Sequence, residues 1–206
     1  MNNEILLNVA DIRHCSEVNG PGIRTVVWVQ GCTRKCPGCI NQHMQEHKEI
    51  KLFEPVFLGK ILVQVKKAIG LTISGGEPFE QSLACALLAE RFKQHGKSVM
   101  VFTGYPFEEL QQSREPSVQR FLKSIDLIVA GPYIRELACE SRMWRASSNQ
   151  TVHYLNGSAA TEEPDPQAAT VEVKADGERM FLTGFPASED LTWFDTLGRK
   201  LREIGV

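Results

Sequence analysis

The sequence predicts an α/β protein in which strands are joined by helical crossovers. Apolar segments of strand length alternate along the chain with longer segments whose apolar residues recur at helical spacing. Glycine-rich or polar residues follow each predicted strand. With 206 residues, of which 42% are hydrophobic and 23% charged, the chain can bury one full core but is short for two independent domains. Strands connected in this way are expected to be parallel.

The predicted elements follow from residue types taken in order along the chain. The first strand, 23–29, is rich in β-branched and aromatic residues without interruption, which indicates burial on both faces. The first helix begins at Glu54, carries apolar residues at helical spacing as far as Ile69, and is followed by Gly70. The same criteria predict further strands at 71–74, 98–102 and 127–130, and further helices at 81–94, 106–110 and 116–125.

The loops that follow the four strands are expected to form one site. They contain Gly31-Cys32, Gly75-Gly76-Glu77, Thr103-Gly104-Tyr105 and Gly131-Pro132. Ligands of parallel α/β folds and barrels bind at the carboxyl ends of the strands, where these loops would meet.

The chain divides at a segment that cannot pack a core. Residues 156–169 include no Val, Ile, Leu or aromatic residue and are predicted to be a linker between a core, 1–155, and a C-terminal extension, 170–206. In the extension, Asp176-Gly177 favours a tight turn between two short strands, and 191–204 is predicted to be an amphipathic helix.

Charge and hydropathy exclude several classes of partner. The net charge of −2 provides no chain-wide positive field for nucleic acid or an anionic membrane. No apolar stretch approaches the ~20 residues of a membrane helix, and residues 1–10 lack the features of a signal peptide. We therefore expect a cytoplasmic protein that binds neither nucleic acid nor a membrane.

Three of the six cysteines lie within eight residues, as Cys32, Cys36 and Cys39 in a C-x3-C-x2-C motif. Closely spaced thiolates on a glycine-rich loop are typical metal ligands of intracellular proteins. One alternative is a structural zinc ion, for which His43 would be the fourth ligand. The other is a [4Fe-4S] cluster bound by three thiolates, which leaves one iron free for a substrate. Cys85 lies in an apolar segment and is expected to be a buried thiol.

A second motif, Ser74 to Pro78, favours the iron-sulfur alternative. Its two glycines allow a ligand to approach the backbone, and the carboxylate of Glu77 can accept hydrogen bonds from an ammonium group. A Gly-Gly pair after a strand is usually only a turn. Together with the three cysteines, however, the motif indicates a binding site.

The combination of C-x3-C-x2-C after the first strand and Gly-Gly-Glu-Pro after the second resembles the radical S-adenosylmethionine (SAM) enzymes. Residues 18–24 resemble the segment that precedes the first strand in glycyl-radical-enzyme activases. Residues 101–105, 126–132 and 144–150 resemble the activating proteins of anaerobic ribonucleotide reductase. The resemblance runs from about Val18 to Leu155. It implies a partial (β/α)6 TIM-like barrel of the radical SAM type, open on one side to a protein segment.

The resemblance also implies a role for particular residues. Cys32, Cys36 and Cys39 would bind three irons of a [4Fe-4S] cluster, and SAM would chelate the fourth iron. Contacts to the methionine end of SAM are implied for Gly75, Gly76 and Glu77, and contacts to its adenine for backbone around Gly38 and Ile40. Thr103 is either a further SAM contact or a structural residue at the end of its strand.

The activity implied by the resemblance is reductive cleavage of SAM and formation of a glycyl radical on a partner enzyme. That partner would be anaerobic ribonucleotide reductase, and the electron would come from a flavodoxin- or ferredoxin-type donor. Two alternatives remain open from the residues. One is a radical SAM enzyme that modifies a peptide or a small metabolite, and the other is a non-catalytic zinc-binding module.

Overall fold

The fold is described by a computed structural model that covers residues 4–142, 144–157, 171–176, 179–186, 192–194, 196 and 199–200. Its strands are β1 (Leu7–Ser16), β2 (Arg24–Val29), β3 (Lys51–Phe53), β4 (Gly70–Gly75), β5 (Ser98–Thr103), β6 (Leu127–Ala130), β7 (Ala138–Arg142), β8 (Arg145–Ser147), β9 (Thr151–Tyr154), β10 (Val171–Asp176) and β11 (Arg179–Gly184). Its α-helices are α1 (Pro55–Leu62), α2 (Ser82–Gln94), α3 (Phe107–Gln112) and α4 (Pro116–Lys123). Short 3-10 helices span Gln42–Met44, Pro78–Gln81 and Arg135–Leu137.

A seven-stranded mixed sheet forms the centre of the fold, in the order β3-β1-β2-β4-β5-β6-β9. The four central strands β2, β4, β5 and β6 are parallel and follow one another in chain order. At one edge, β1 pairs antiparallel with both β2 and β3, and at the other edge β9 pairs antiparallel with β6. The prediction of an α/β protein with parallel strands and helical crossovers is confirmed.

The helices cover one face of this sheet, and the core lies between the two layers. Alternate strand residues such as Val27, Ile73 and Val101 point into this core, where they meet Leu88 and Phe92 of α2. The residues between them point to the other face and form two smaller clusters, around Trp28 and around Met100. All six residues of β2 are buried, because both faces of this central strand are covered.

Sequence and structure differ mainly at the sheet edges and at the end of the first helix. The strands β1, β3 and β9 were not predicted, because polar residues interrupt their apolar pattern. The helix predicted to reach Ile69 ends at Leu62. Beyond that residue the hydrogen bonds run from Gln64 N to Ile61 O and from Val65 N to Leu62 O, which are turns that keep the apolar spacing without continuing the α-helix.

Arg24, at the start of β2, is 1% exposed and ties three parallel strands together at their amino ends. Its guanidinium donates to Thr72 Oγ1, to the carbonyl oxygens of Leu71, Ser98 and Pro21, and to Ser98 Oγ. Burial lowers the pKa of Arg24 to about 10, and the charge of Asp126 opposes this effect. The buried cation therefore fixes the sheet at the end opposite the cysteine loop.

The strands β10 and β11, on either side of the predicted Asp176-Gly177 turn, pair antiparallel as a separate hairpin. Gly177 itself lies outside the described residues. Residues 158–170, which make up most of the predicted linker, and most of the predicted helix 191–204 lie outside the described residues. Cys85 is fully buried in the core, as predicted. Among the described residues, no helix is long and apolar enough to span a membrane.

Candidate functional site

A cavity of about 850 Å³ lies at the carboxyl ends of the parallel strands, on the face that the helices do not cover. Residues from all four of the predicted strand-end loops line it. The nine residues singled out from the sequence all lie in its wall, namely Cys32, Cys36, Gly38, Cys39, Ile40, Gly75, Gly76, Glu77 and Thr103. The sheet topology thus brings these residues to one place, although 71 positions separate the first from the last in the chain.

The cysteine loop begins where β2 ends, at Gly31, whose φ of 102° is in the left-handed region. The loop is closed by backbone hydrogen bonds from Gly31 N to Met44 O, 2.8 Å, and from Cys32 N to Gln45 O, 3.0 Å. Cys32 is 9% exposed, whereas Cys36 and Cys39 are half-buried. The returning segment therefore holds the loop against the end of the strand.

Hydrogen-bond donors surround two of the three sulfurs. Burial raises the pKa of Cys32, while the backbone N–H groups of Arg34 and Lys35 partly oppose this effect by donating to its sulfur. Burial likewise raises the pKa of Cys39, opposed by the backbone of Asn41 and the side chain of Gln45. Donors directed at sulfur stabilise metal-bound thiolates. The loop therefore fits a cluster that supplies the positive charge needed to keep these thiols ionised.

A single zinc ion would need a fourth ligand beside the three thiolates, for which His43 is the candidate. In the part of the chain that the structure describes, no three His, Cys, Asp or Glu side chains lie close enough together to hold one metal ion. A zinc ion draws its ligands to within about 2.0–2.3 Å of one centre, whereas a four-iron cluster binds each thiolate at a separate iron. His43 is exposed at the rim of the cavity.

Close backbone contact joins the Gly-Gly-Glu loop to the cysteine loop. Gly76 N donates to Val29 O, and Glu77 N donates to Gly31 O, each at 2.8 Å. A Cβ atom on Gly76 would lie 2.2 Å from Gly31 O, and one on Gly75 would lie 2.6 Å from both N and O of Val29. Only glycine permits this approach, so the two motifs form one continuous backbone surface.

The carboxylate of Glu77 is 1% exposed and lies beneath this surface. Its Oε1 accepts hydrogen bonds from Phe79 N, 3.0 Å, and from the hydroxyl of Thr103, 2.8 Å, and its Oε2 accepts from Gly104 N, 2.8 Å. Burial raises its pKa to about 7, against the effect of these donors. A carboxylate oxygen can accept two hydrogen bonds, so Oε2 retains capacity for an ammonium group in the cavity.

Glu80 is a site residue that the sequence analysis missed. Its Oε1 accepts from the backbone N–H of Thr33, 2.8 Å, and from the Thr33 hydroxyl, while its Oε2 lies 2.9 Å from His47 Nε2. Burial alone would raise the pKa of Glu80, but the Thr33 and His47 contacts lower it. Glu80 therefore anchors the residue next to Cys32 to the 3-10 helix that follows Glu77.

Further cavity residues come from outside the nine named above. Asp11 and Arg13 of β1, Asn19, Tyr133 and Cys139 all line the wall. The side chain of Gln150 also lines it, and donates to Gly131 O, 3.1 Å, while accepting from Ala146 N, 2.8 Å. Asn19 and Gln150 lie in the segments 18–24 and 144–150, which carry the family resemblance. No local pattern distinguishes Asp11, Arg13, Tyr133 and Cys139 from ordinary surface residues, because the fold alone places them here.

Residues 18–153 match the family model of the 4Fe-4S single cluster domain. The fold and the cysteine loop thus define an iron-sulfur protein, and the prediction of a [4Fe-4S] cluster is confirmed. Several curated relatives are named anaerobic ribonucleoside-triphosphate reductase-activating protein. The relative from Haemophilus influenzae is 35% identical over 144 residues, which span 66% of this chain and 90% of that protein. The chain belongs to the family of these activating proteins, as the resemblance implied.

Two further relatives of the same name show similar values. The protein from Escherichia coli K12 is 33% identical over 146 residues, covering 67% of this chain and 92% of that protein. The protein from Enterobacteria phage T4 is 33% identical over 152 residues, covering 70% of this chain and 92% of that protein. Among solved structures, QueE from Escherichia coli aligns with 61% of this chain and 70% of its own at 15% identity and a TM-score of 0.42.

Proposed function

We propose that this protein is a [4Fe-4S]- and SAM-dependent activating enzyme that generates a glycyl radical on anaerobic ribonucleotide reductase. The observation that carries the proposal is the convergence of the three cysteines and the Gly-Gly-Glu loop in one cavity. This convergence occurs in a chain that belongs to the family of reductase-activating proteins.

In this proposal Cys32, Cys36 and Cys39 hold three irons of the cluster. When bound, the reduced cluster and SAM supply the chemistry, in which one electron cleaves a carbon-sulfur bond and the resulting 5'-deoxyadenosyl radical takes a hydrogen atom from a glycine Cα. The backbone around Gly38 and Ile40 is assigned to the adenine. Thr103 serves the site by fixing the carboxylate of Glu77.

Glu77 and the two preceding glycines are assigned to the methionine end of SAM. The glycines bring backbone to the cavity without side chains, and Glu77 Oε2 accepts a hydrogen bond from the ammonium group of the ligand. Phe79 and Gly104 hold the carboxylate by their backbone N–H groups, so the acceptor is already oriented before the ligand arrives. The side chains of Trp28 and Phe102 line the same cavity and give it apolar surface.

The parallel strands of the central sheet are, in this proposal, part of a partial (β/α)6 barrel of the radical SAM type. Their neighbours in the sheet follow chain order, and the site lies on the face away from the helices, as in a barrel interior. We further propose that 1–155 is the radical SAM core, 156–169 a linker and 170–206 an added segment.

The electron donor is proposed to be a flavodoxin- or ferredoxin-type protein, and the compartment to be the cytoplasm. None of the six cysteines, all of which lie in the described part of the chain, is paired in a disulfide, which is usual for a reducing compartment.

The proposal is tested by electron paramagnetic resonance on anaerobically reconstituted, dithionite-reduced protein. We expect a reduced [4Fe-4S] signal that changes when SAM is added, formation of 5'-deoxyadenosine, and a glycyl radical signal when the reductase is present. Cys32→Ala should abolish cluster signal and product. Cys85→Ala is the matched control, since this thiol is buried in the core and does not line the cavity.

Three results would overturn this function in different ways. A sample without cluster that holds stoichiometric zinc would make the protein a zinc-binding module. SAM cleavage without any glycyl radical on the reductase would favour modification of a peptide or small metabolite. Full SAM cleavage by Cys32→Ala would refute the assignment of the cysteines.

A further inference from the structure

The β10-β11 hairpin forms part of the cavity wall, although it lies outside the region shared with the family. The match to the family model ends at residue 153, whereas the hairpin begins at Val171. The hairpin and the residues directly after it contribute a continuous stretch of the wall, consisting of Phe181, Leu182, Thr183, Gly184, Phe185 and Pro186. The site is thus bounded on one side by a segment that lies outside the region matched by the family model.

Specific contacts hold the hairpin in this position. Asn19 Nδ2 donates to Thr183 Oγ1 at 3.1 Å, and the pair is buried. Glu17 N donates to Glu172 Oε1 at 2.6 Å. These contacts attach both strands of the hairpin to the segment between β1 and β2.

An aromatic contact attaches the hairpin to the central sheet. The rings of Phe185 and Phe102 lie with centroids 5.7 Å apart and planes inclined at 44°. This is the distance range in which tilted aromatic pairs are favourable. Phe102 belongs to β5, so the apolar wall of the hairpin is continuous with the floor of the cavity.

The chemistry of this wall suits a protein segment more than a small polar ligand. Phe181, Leu182, Phe185 and Pro186 present apolar surface and carry no charge. Hydrogen abstraction from a glycine Cα requires that a backbone segment enter the cavity and that water be excluded around it. Because the hairpin bounds the same cavity as the cysteines, a segment that enters along this wall contacts it.

We propose that the hairpin determines partner specificity, by packing the apolar side chains of Phe181 and Phe185 against the glycine-bearing segment of the reductase. This inference rests on the proposed function and names the surface that selects the partner. Phe185 contacts the segment directly, whereas Thr183 is a positioning residue that keeps the hairpin attached to Asn19.

The test compares Michaelis constants for the reductase and for SAM in Phe185→Ala, Phe185→Leu and Thr183→Val. Phe185→Ala should raise the KM for the reductase about tenfold, the size typical of a truncated aromatic anchor at an interface, and change the KM for SAM less than twofold. Phe185→Leu, which keeps apolar volume, should show a smaller rise. Thr183→Val should raise the KM for the reductase about threefold. Val173→Ala is the matched control, since Val173 is 41% exposed on the same hairpin and does not line the cavity.

Affinity provides a second measurement that does not depend on turnover. Calorimetric titration of cluster-loaded protein with the reductase, without SAM, should show the same order of weakening. Unchanged affinity and KM in Phe185→Ala would overturn the inference, and so would a rise in the KM for SAM alone. If wild-type protein forms no glycyl radical on the reductase, the proposed function fails together with the inference. If wild-type protein activates the reductase and the variants match it, only the inference fails.

Discussion

The buried carboxyl group of Glu77 makes folding stability depend on pH in a way that one substitution can isolate. Its pKa is about 7 in the folded protein, against 4.5 for an ordinary glutamate. The folded state therefore binds the proton of the Glu77 carboxyl group more tightly than the unfolded state does, and the contribution of Glu77 to stability is fully present below pH 4.5. It is lost as pH rises through about 7. A shift of this size corresponds to about 3 kcal/mol of unfolding free energy.

The assay is urea unfolding of cluster-free protein at pH values from 4 to 9, for wild type and Glu77→Gln. All other titrating groups are common to both proteins. The charge of Glu77 contributes to the raised pKa values of Cys32, Cys85 and Tyr105, and these groups ionise above pH 8, so they do not affect the difference between the two free energies from pH 4.5 to 8. Loss of a hydrogen bond to Gly104 or Phe79 adds a constant offset that does not vary with pH. We expect wild type to lose about 3 kcal/mol relative to Glu77→Gln between pH 4.5 and 8, on the basis of the pKa shift. A difference that is flat, or that rises with pH, would refute the reasoning.

Three further outcomes follow from packing. Arg24→Met should lower the unfolding free energy by about 3–5 kcal/mol in urea titrations, because the buried acceptors of the guanidinium, including Thr72, lose their donor. A loss below about 1 kcal/mol would contradict this expectation. In Gly76→Ala the new Cβ would lie 2.2 Å from Gly31 O, so the unfolding free energy should fall by about 3 kcal/mol in the same assay. The variant should also lose bound iron to a chelator with a shorter half-life than wild type. Unaltered iron retention would show that the two loops can separate. Cys85 should resist alkylation in the native protein, because it is fully buried and burial raises its pKa. Mass spectrometry after brief labelling measures this. Rapid labelling would place Cys85 outside the core.

The sequence predicted the centre of the sheet because burial there is reflected directly in residue type. The four apolar residues Val26 to Val29 of β2 have that form. By contrast, β1 carries Asp11, Arg13 and His14 between apolar residues, as suits a strand close to the sheet edge whose side chains are only partly covered. A sequence that mixes charged and apolar residues in this way is easily assigned to a loop when the strand that pairs with it is unknown.

The same distinction applies to the site. Gly75, Gly76 and the three cysteines carry a local signal, since their residue types are unusual and their spacing is short. The contact of Glu80 with Thr33 and His47 has no such signal, because its members lie 47 and 33 positions from Glu80 in the chain. The sequence likewise predicted the hairpin from its Asp-Gly turn, but could not show that the hairpin borders the cavity, because long-range packing determines its position.

The backbone pairing between the two motif loops limits how the length of the chain can vary. Because Gly76 bonds to Val29 and Glu77 bonds to Gly31, the parallel pairing of β2 and β4 continues past the end of each strand. One inserted or deleted residue in either loop would shift this register and separate the first cysteine from the glycines. The crossovers at the amino ends of the strands and the segment after residue 155 carry no such pairing between the two motifs. Insertions that preserve the site are therefore expected at those places, and the added hairpin is attached at one of them.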